Sequence, residues 1–282
     1  MIDEIFNEDC LIGMKRIPDG TVDFVLTDLP FGMIDCHWDQ KIDLVKFWEQ
    51  VKRVLKPQSS AAMFASSKFS FELAYSNWDW YKYKWVWVKN TPTCFVHAKN
   101  CPMHKHEDIL IFSNGIINHE SLAPNRRMKY FPQGVRDITP TDKKTSHGGL
   151  VETSSQLRGA KCQGNTRFNA TNKFSSVYGR RPSQKEIYTA TKTGYPSDVL
   201  EFGAVATTQK LNPSQKPVEL LEYLIKTYTN EGELVLDATI GSGSTAVAAI
   251  NTNRHFIGFE LDEKFYNIAN SRIAKARTEK AS

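Results

Sequence analysis

Leu234-Val235-Leu236-Asp237 runs into a turn bearing Gly241 and Gly243, and the helical stretch Ala246-Val247-Ala248-Ala249-Ile250 follows at once. This is a strand, a glycine turn and a helix in a single short segment. The strand is apolar at successive positions, so it has no face suited to water. A second strand, His255-Phe256-Ile257-Gly258-Phe259, ends at Glu260, and a helical pattern runs from Asp262 to about Ala276. Parallel strands need crossover helices, and those helices cover the sheet. The segment therefore commits the chain to an α/β fold, a mostly parallel sheet with helices on both faces. It also holds the parts of a nucleotide-type site: glycines that let backbone approach a ligand, and an acid one strand later that can accept from ribose hydroxyls. A tight turn without a ligand uses the same glycines, so their spacing alone does not decide.

The N-terminal third follows the same plan. Val22-Asp23-Phe24-Val25-Leu26-Thr27 reads as a short buried strand ending at Asp28-Leu29-Pro30-Phe31-Gly32. A helix is expected over Leu44 to Leu55, stopped by Pro57. Strands are expected over Ser60–Ala65, Lys82–Lys89 and Asp108–Phe112. Trp85 and Trp87 share one face of their strand, which points to the core rather than to a stacking platform. In open α/β sheets ligands bind beyond the carboxyl ends of strands, so the Asp28 turn and the glycine turn should face one crevice. There a planar amine finds a carboxylate acceptor in Asp28, a second acceptor in a backbone carbonyl and an aromatic face in Phe31. A capped turn with a core Phe is the plainer alternative. A nicotinamide oxidoreductase would use similar parts. However, only about 40 residues follow the glycine turn, too few for the usual two-half dinucleotide fold.

Charge separates the middle of the chain from its ends. Residues 113–200 carry 14 Lys and Arg against 6 Asp and Glu, a net of +8 within a whole-chain total of +5. That segment is polar and rich in Ser, Thr, Asn and Gly, which suits a phosphate-contacting surface; a solvated insertion would have the same composition. The five cysteines are odd in number, with no C-x-x-C pair, and no apolar run approaches the roughly 20 residues a membrane span needs. With no signal-like start, a reduced, cytoplasmic protein is expected. Cys94, His97, Cys101, His104 and His106 lack the spacing of paired zinc knuckles, so no metal site is assigned, and His106-Glu107 is expected to shape the sheet edge. Arg272, Lys275, Arg277 and Lys280 read as a solvated helix end.

Four segments together resemble one family. Thr27-Asp28-Leu29-Pro30-Phe31-Gly32 is similar to the D-P-P-Y motif of DNA amino-methyltransferases. Asn212-Pro213-Ser214-Gln215-Lys216-Pro217, then Asp237-Ala238-Thr239-Ile240-Gly241-Ser242-Gly243-Ser244-Thr245, resemble their H-P-T-Q-K-P segment and cofactor loop. Asn7-Glu8-Asp9-Cys10-Leu11 resembles their N-terminal cofactor-adenine segment. The motif order is that of the family's β group. The resemblance covers residues 1–112 and about 195–282.

The resemblance implies a Rossmann-like, S-adenosylmethionine-dependent fold. Its catalytic domain would be formed by residues 1–112 and 195–282, and residues 113–194 would be an inserted target-recognition region for double-stranded DNA. The implied reaction is methyl transfer to the exocyclic amine of a flipped base, adenine N6 for an Asp-led motif, with cytosine N4 as the close alternative. Asp28, Leu29, Pro30 and Phe31 would form the catalytic turn. Asp9 and Cys10 would lie by the cofactor adenine and Glu260 by its ribose. Asp237, Gly241, Ser242, Gly243 and Thr245 would hold its methionine end, with Lys216 either at the methionine carboxylate or capping structure. Leu29 replaces the usual Pro, Phe31 the usual Tyr and Asn212 the usual His; none of these removes a group the proposed chemistry uses. A homodimer and a cognate restriction endonuclease are partners the family admits. A catalytically inactive DNA-binding relative is disfavoured, because both the carboxylate and the glycine loop are intact.

Overall fold

The computed structural model describes residues 1–32, 40–117, 124–138 and 192–281. Most of the basic region expected at 113–194 lies outside the described residues. The chain divides into two compact units, Met1–Gln133 with Ser197–Ser282, and Gly134–Pro196. In chain order the strands are β1 (Glu4–Phe6), β2 (Val22–Thr27), β3 (Leu55–Ala65), β4 (Tyr81–Thr93), β5 (His104–Ser113), β6 (Arg136–Asp137), β7 (Lys192–Thr193), β8 (Val199–Glu201), β9 (Leu234–Asp237) and β10 (His255–Phe259). The helices used below are α1 (Cys10–Gly13), α2 (Leu44–Val54), α3 (Ser67–Ser76), α4 (Val218–Tyr228), α5 (Ser244–Asn251) and α6 (Glu263–Ala281). In the smaller unit, β6 and β7 pair antiparallel.

The larger unit is built on one eight-stranded sheet, in the order β1-β10-β9-β2-β3-β5-β4-β8. All neighbours are parallel except β5, which runs antiparallel to both β3 and β4. Alternation along β2 explains the layers. Phe24 and Leu26 pack with Leu220, Leu224, Ala248 and Ile273 from α4, α5 and α6. Val25, between them, faces Cys10, Phe47, Val51 and Leu73 from α1, α2 and α3, and Val22 joins that layer because the register shifts between it and Phe24. All six β2 residues are buried; four are apolar, and the buried Asp23 carboxylate is paired with Lys56 and Lys129. Among the described residues, no helix is long and apolar enough to cross a membrane.

Local chemistry sets the element ends. Asp43 caps α2, accepting from the amides of Val45 and Lys46 at 3.1 and 3.2 Å, while Lys52 and Arg53 occupy its last turn. The helix ends at Val54, and β3 begins at Leu55 and runs through Pro57, five residues earlier than the expected strand. A residue before proline is pushed toward extended backbone, and Pro57 lies where the β2–β3 register shifts, so no ladder bond needs its missing N–H. Trp85 and Trp87 are core residues, as expected. Their indole N–H groups donate to the Tyr228 hydroxyl at 2.7 Å and the Phe202 carbonyl at 2.8 Å.

Candidate active site

The strand order reverses between β9 and β2. From β9 the chain crosses to β10 on one side, and from β2 it crosses to β3 on the other. Such a reversal opens a crevice beyond the carboxyl ends of the two strands, and both sequence-predicted turns stand there. Thr239 joins them: its hydroxyl donates to the Asp28 carbonyl at 3.0 Å and lies 2.9 Å from the Thr27 hydroxyl.

Asp28 follows β2 directly, and its side chain is 18% exposed. Lys216 Nζ donates to its Oδ2 at 2.5 Å. Its Oδ1 is buried and, among the described residues, accepts no hydrogen bond. Lys216 also lies 3.4 Å from Glu107 Oε2, and Glu107 Oε1 accepts from Lys89 Nζ at 2.5 Å. Four charges thus alternate in sign from Lys89 to Glu107, Lys216 and Asp28. Burial raises the Asp28 carboxyl above its ordinary range; Lys216 opposes this and Glu107 adds to it. Glu107 is held below its ordinary value, because Lys216 and Lys89 outweigh the upward push of burial. Leu29 turns its side chain into the core, and Phe31 stacks on Phe69 with ring centroids 4.8 Å apart.

The second half of the crevice is the glycine turn. Gly241 and Gly243 have φ of +53° and +81°, the left-handed region that glycine enters at least cost. A Cβ on Gly241 would come within 2.9 Å of Asn212 Nδ2, so the Asn212–Pro217 segment packs against this turn. Glu260 accepts the Gly241 N–H at 2.8 Å on one oxygen and the Asp262 N–H at 2.9 Å on the other, leaving each oxygen a lone pair. Burial raises the Glu260 carboxyl, and those two N–H groups oppose it. Asp237, at the end of β9, is buried and accepts the Thr239 N–H at 3.1 Å. The α5 helix starts at Ser244 with no side-chain cap, so its first N–H groups face the turn side without that competitor. Thr245 is buried in its first turn. Beside β10, Asn7 donates to the carbonyls of Glu260 and Leu261 at 2.8 and 3.1 Å, setting the Asp9-Cys10 segment next to Glu260. Asp9 caps α1 through the Leu11 N–H at 2.7 Å, and burial pushes the Cys10 thiol up to about 12.

Two expectations need correction. Glu107 does not shape a sheet edge: β5 is an interior strand, and Glu107 belongs to the charged chain ending at Asp28. The basic C-terminal side chains are not simply a solvated helix end. Arg272 is half-buried and donates to the Ser242 carbonyl at 2.7 Å and to the hydroxyls of Ser242 and Ser244 at 3.1 and 3.0 Å. Arg277 reaches the Asp3 carbonyl and Lys280 the Ile250 carbonyl; Lys275 pairs with the exposed Glu279. Sequence reading also passed over Lys89, Thr239 and Arg272 as site residues. A lysine closing an aromatic strand was the available signal for Lys89.

Comparison with known proteins gives a consistent pattern. The DNA methylase family model N6_N4_Mtase matches residues 22–271. The type II methyltransferase M.HindIII of Haemophilus influenzae is 23% identical over 313 aligned positions, covering 97% of this chain and 96% of the relative. M.HpaI of Haemophilus parainfluenzae is 22% identical, covering 92% of this chain and 70% of the relative. In fold, the chain is similar to the M1.HpyAVI–SAM complex, with a TM-score of 0.56, 19% identity, and coverage of 95% of this chain and 98% of that one. It is also similar to the cytosine-N4-specific PvuII DNA methyltransferase, with a TM-score of 0.58, 14% identity, and coverage of 98% and 92%.

Proposed function

The chain belongs to the DNA methylase family, and from that premise we propose that it is a site-specific methyltransferase acting on the N6 amine of an adenine flipped out of duplex DNA. The observation that carries the reading is the buried Oδ1 of Asp28, which accepts no hydrogen bond among the described residues and stands in a crevice shared with the glycine turn. An exocyclic amine is a poor nucleophile because its lone pair is delocalised into the ring. Asp28 Oδ1 accepts one N–H and the Leu29 carbonyl the other, which returns electron density to nitrogen. The amine is held at a fixed angle in a half-desolvated crevice, so positioning contributes much of the rate. After transfer the nitrogen loses a proton, to Asp28 or to solvent. Phe31 offers the ring face not covered by Phe69 to the flipped base.

S-adenosylmethionine, when bound, supplies a methyl group on a sulfonium, which is a good leaving group. The residues present fit it. Glu260 keeps lone pairs for ribose hydroxyls, and Asp9 and Cys10 lie beside it at the adenine end. The Gly241-Ser242-Gly243 turn brings backbone to the crevice through two positive-φ glycines, and Asp237 and Thr245 stand at the methionine end. The ammonium of Lys216 is engaged by Asp28 and Glu107, so we place it with the amine subsite.

DNA must reach Asp28 from the carboxyl edge of the sheet. The connection between β4 and β5 lies at that edge. From Asn90 to His106 it carries no Asp or Glu, two Lys and three His. Phe95 and Val96 at its tip are 79% and 88% exposed. Such a tip suits a duplex whose stack is opened by base flipping. The basic segment 113–194 is the proposed recognition region. By likeness to the type II relatives, a cognate restriction endonuclease is a proposed partner.

Adenine is favoured over cytosine because the catalytic turn is led by Asp28. The test is expression in a host free of DNA methylation, followed by single-molecule sequencing of a plasmid. N6-methyladenine in one short sequence is the expected result, and N4-methylcytosine would overturn the base assignment. Asp28→Ala should abolish methylation while cofactor affinity stays within about tenfold.

A further inference from the structure

We infer that Lys216 is a positioning residue for methyl transfer: it holds Oδ2 of Asp28 so that Oδ1 alone faces the target amine, and Glu107, bridged to Lys89, fixes Lys216 in that place. The inference rests on the reading of Asp28 as the amine acceptor.

The geometry leaves Lys216 little freedom. Two acceptors take hydrogen bonds from its ammonium, Asp28 Oδ2 at 2.5 Å and the Ser214 carbonyl at 3.2 Å, and Glu107 Oε2 lies 3.4 Å away as an ion pair. The Phe64 ring covers another side, 4.9 Å from the nitrogen. Pro217 follows directly and caps α4, so the backbone carrying Lys216 is anchored to a helix. With one carboxylate oxygen taken by a fixed cation, the Asp28 side chain cannot rotate to offer the amine a different lone pair. The four linked charges sum to zero, so a neutral amine can enter without an added desolvated charge.

Lys216 has a second effect on Asp28. A protonated carboxyl would be a weak acceptor and could present a hydrogen to the amine instead. Several groups decide which form is present. Lys216, and beyond it Lys89, favour the anion; burial and Glu107 disfavour it. Asp237, at the end of β9, lies within electrostatic reach of Asp28, and Lys210 within that of Lys216, Lys89 and Glu107. Lys216 is the nearest of the two cations and the one in contact. Removing it should leave Asp28 harder to ionise, whereas removing the charge on Glu107 should make it easier.

That opposition separates positioning from mere structure. The full-length protein, radiolabelled S-adenosylmethionine and unmethylated plasmid give single-turnover rates across pH, and calorimetry gives cofactor affinity. Lys216→Met should slow the single turnover about a hundredfold at neutral pH. Its acid limb should move to higher pH, with cofactor affinity within about threefold. Glu107→Gln should move the acid limb to lower pH. Lys216→Arg keeps the charge, so its acid limb should stay in place while its rate falls less than that of Lys216→Met. If Lys216→Met does not fold, the Glu107→Gln and Lys216→Arg profiles carry the test. Acid limbs unmoved in every soluble variant, or a cofactor affinity that falls in step with the rate, would overturn the inference. A wild-type protein that binds cofactor but methylates no DNA would overturn the reading of Asp28 as well. Wild-type methylation with unmoved variant profiles would overturn this inference alone.

Discussion

The Thr239 hydroxyl donates to the backbone carbonyl of Asp28 at 3.0 Å, joining two residues 211 positions apart in the chain. One comes from the turn after β9 and the other from the turn after β2, the two strands that flank the reversal of strand order. Thr239→Val keeps the shape and removes the donor, leaving the carbonyl without it at a half-buried site. We predict a loss of about 1–3 kcal/mol in stability, read from denaturant melts. At saturating cofactor the single-turnover rate should also fall, and Thr239→Ser should restore both. A Val variant with unchanged rate would show that the link between the turns does not position the chemistry.

Asp237 makes a prediction with a defined pH window. Burial pushes its carboxyl from 3.8 up to about 6; Thr245, the Thr239 N–H and Thr27 oppose the rise, and Asp28 adds to it. Between those two values the folded chain binds more protons than the unfolded chain, so this group makes stability fall as pH rises, and the penalty is complete above about 6. Asp237→Asn should therefore flatten that part of the stability profile and stabilise the protein at neutral pH by up to about 3 kcal/mol. Cofactor affinity should respond in the opposite sense, because an ammonium end prefers the ionised carboxylate. It should weaken as pH falls through about 6 in the wild type and be weak throughout in Asp237→Asn. Paired melts and calorimetric titrations check both; a wild-type stability flat across the window would contradict the burial argument.

What the sequence disclosed, and what it did not, follows from how far each signal reaches along the chain. The bounds of β2 and β9 were legible to the residue, because strands buried on both faces are mainly apolar, with Asp23 the charged exception inside β2. The two turns were legible because their chemistry is local: a carboxylate before a proline, glycines before a helix. The chain from Lys89 to Asp28 was not. It joins β4, β5, the Asn212–Pro217 segment and the end of β2, and only the antiparallel insertion of β5 between β3 and β4 brings Glu107 to Lys216. Short elements such as β1 and α1 lack the length for a periodic pattern. Arg272 looked solvated because its partners are backbone and hydroxyl groups thirty residues away rather than a neighbouring acid.

The β4–β5 connection makes a prediction about DNA. Phe95 is held on a short helical turn that starts from Cys94 in the left-handed region, at φ of +67°. Its ring is exposed, so Phe95→Ala should barely move the melting temperature. Loss of an apolar wedge should weaken duplex binding, and a substrate carrying a mismatch at the target base should recover part of the loss because it is already partly unstacked. Fluorescence anisotropy with matched and mismatched duplexes checks this. Equal affinity of wild type and variant for the matched duplex would remove the tip from the DNA surface.

Arg272 bears on what holds the glycine turn in its form. One guanidinium nitrogen serves the Ser242 carbonyl and the hydroxyls of Ser242 and Ser244, spanning the turn and the first residue of α5. Gly241 and Gly243 both have positive φ and carry no side chain, so within the turn only the buried Ser242 side chain packs. Two charged groups outside the turn restrain it, Glu260 at the Gly241 N–H and Arg272 at Ser242 and Ser244. Burial lowers the ordinary Arg272 value, but an arginine so far above neutrality stays charged. Arg272→Met preserves the packed stem and removes the donors. It should cost about 1–3 kcal/mol in stability and weaken cofactor binding about tenfold. At saturating cofactor the single-turnover rate should remain near wild type, because Asp28 and Lys216 are untouched. Calorimetry against single-turnover kinetics makes the division. A rate that falls at saturation while affinity holds would mean that Arg272 reaches the amine subsite rather than the turn.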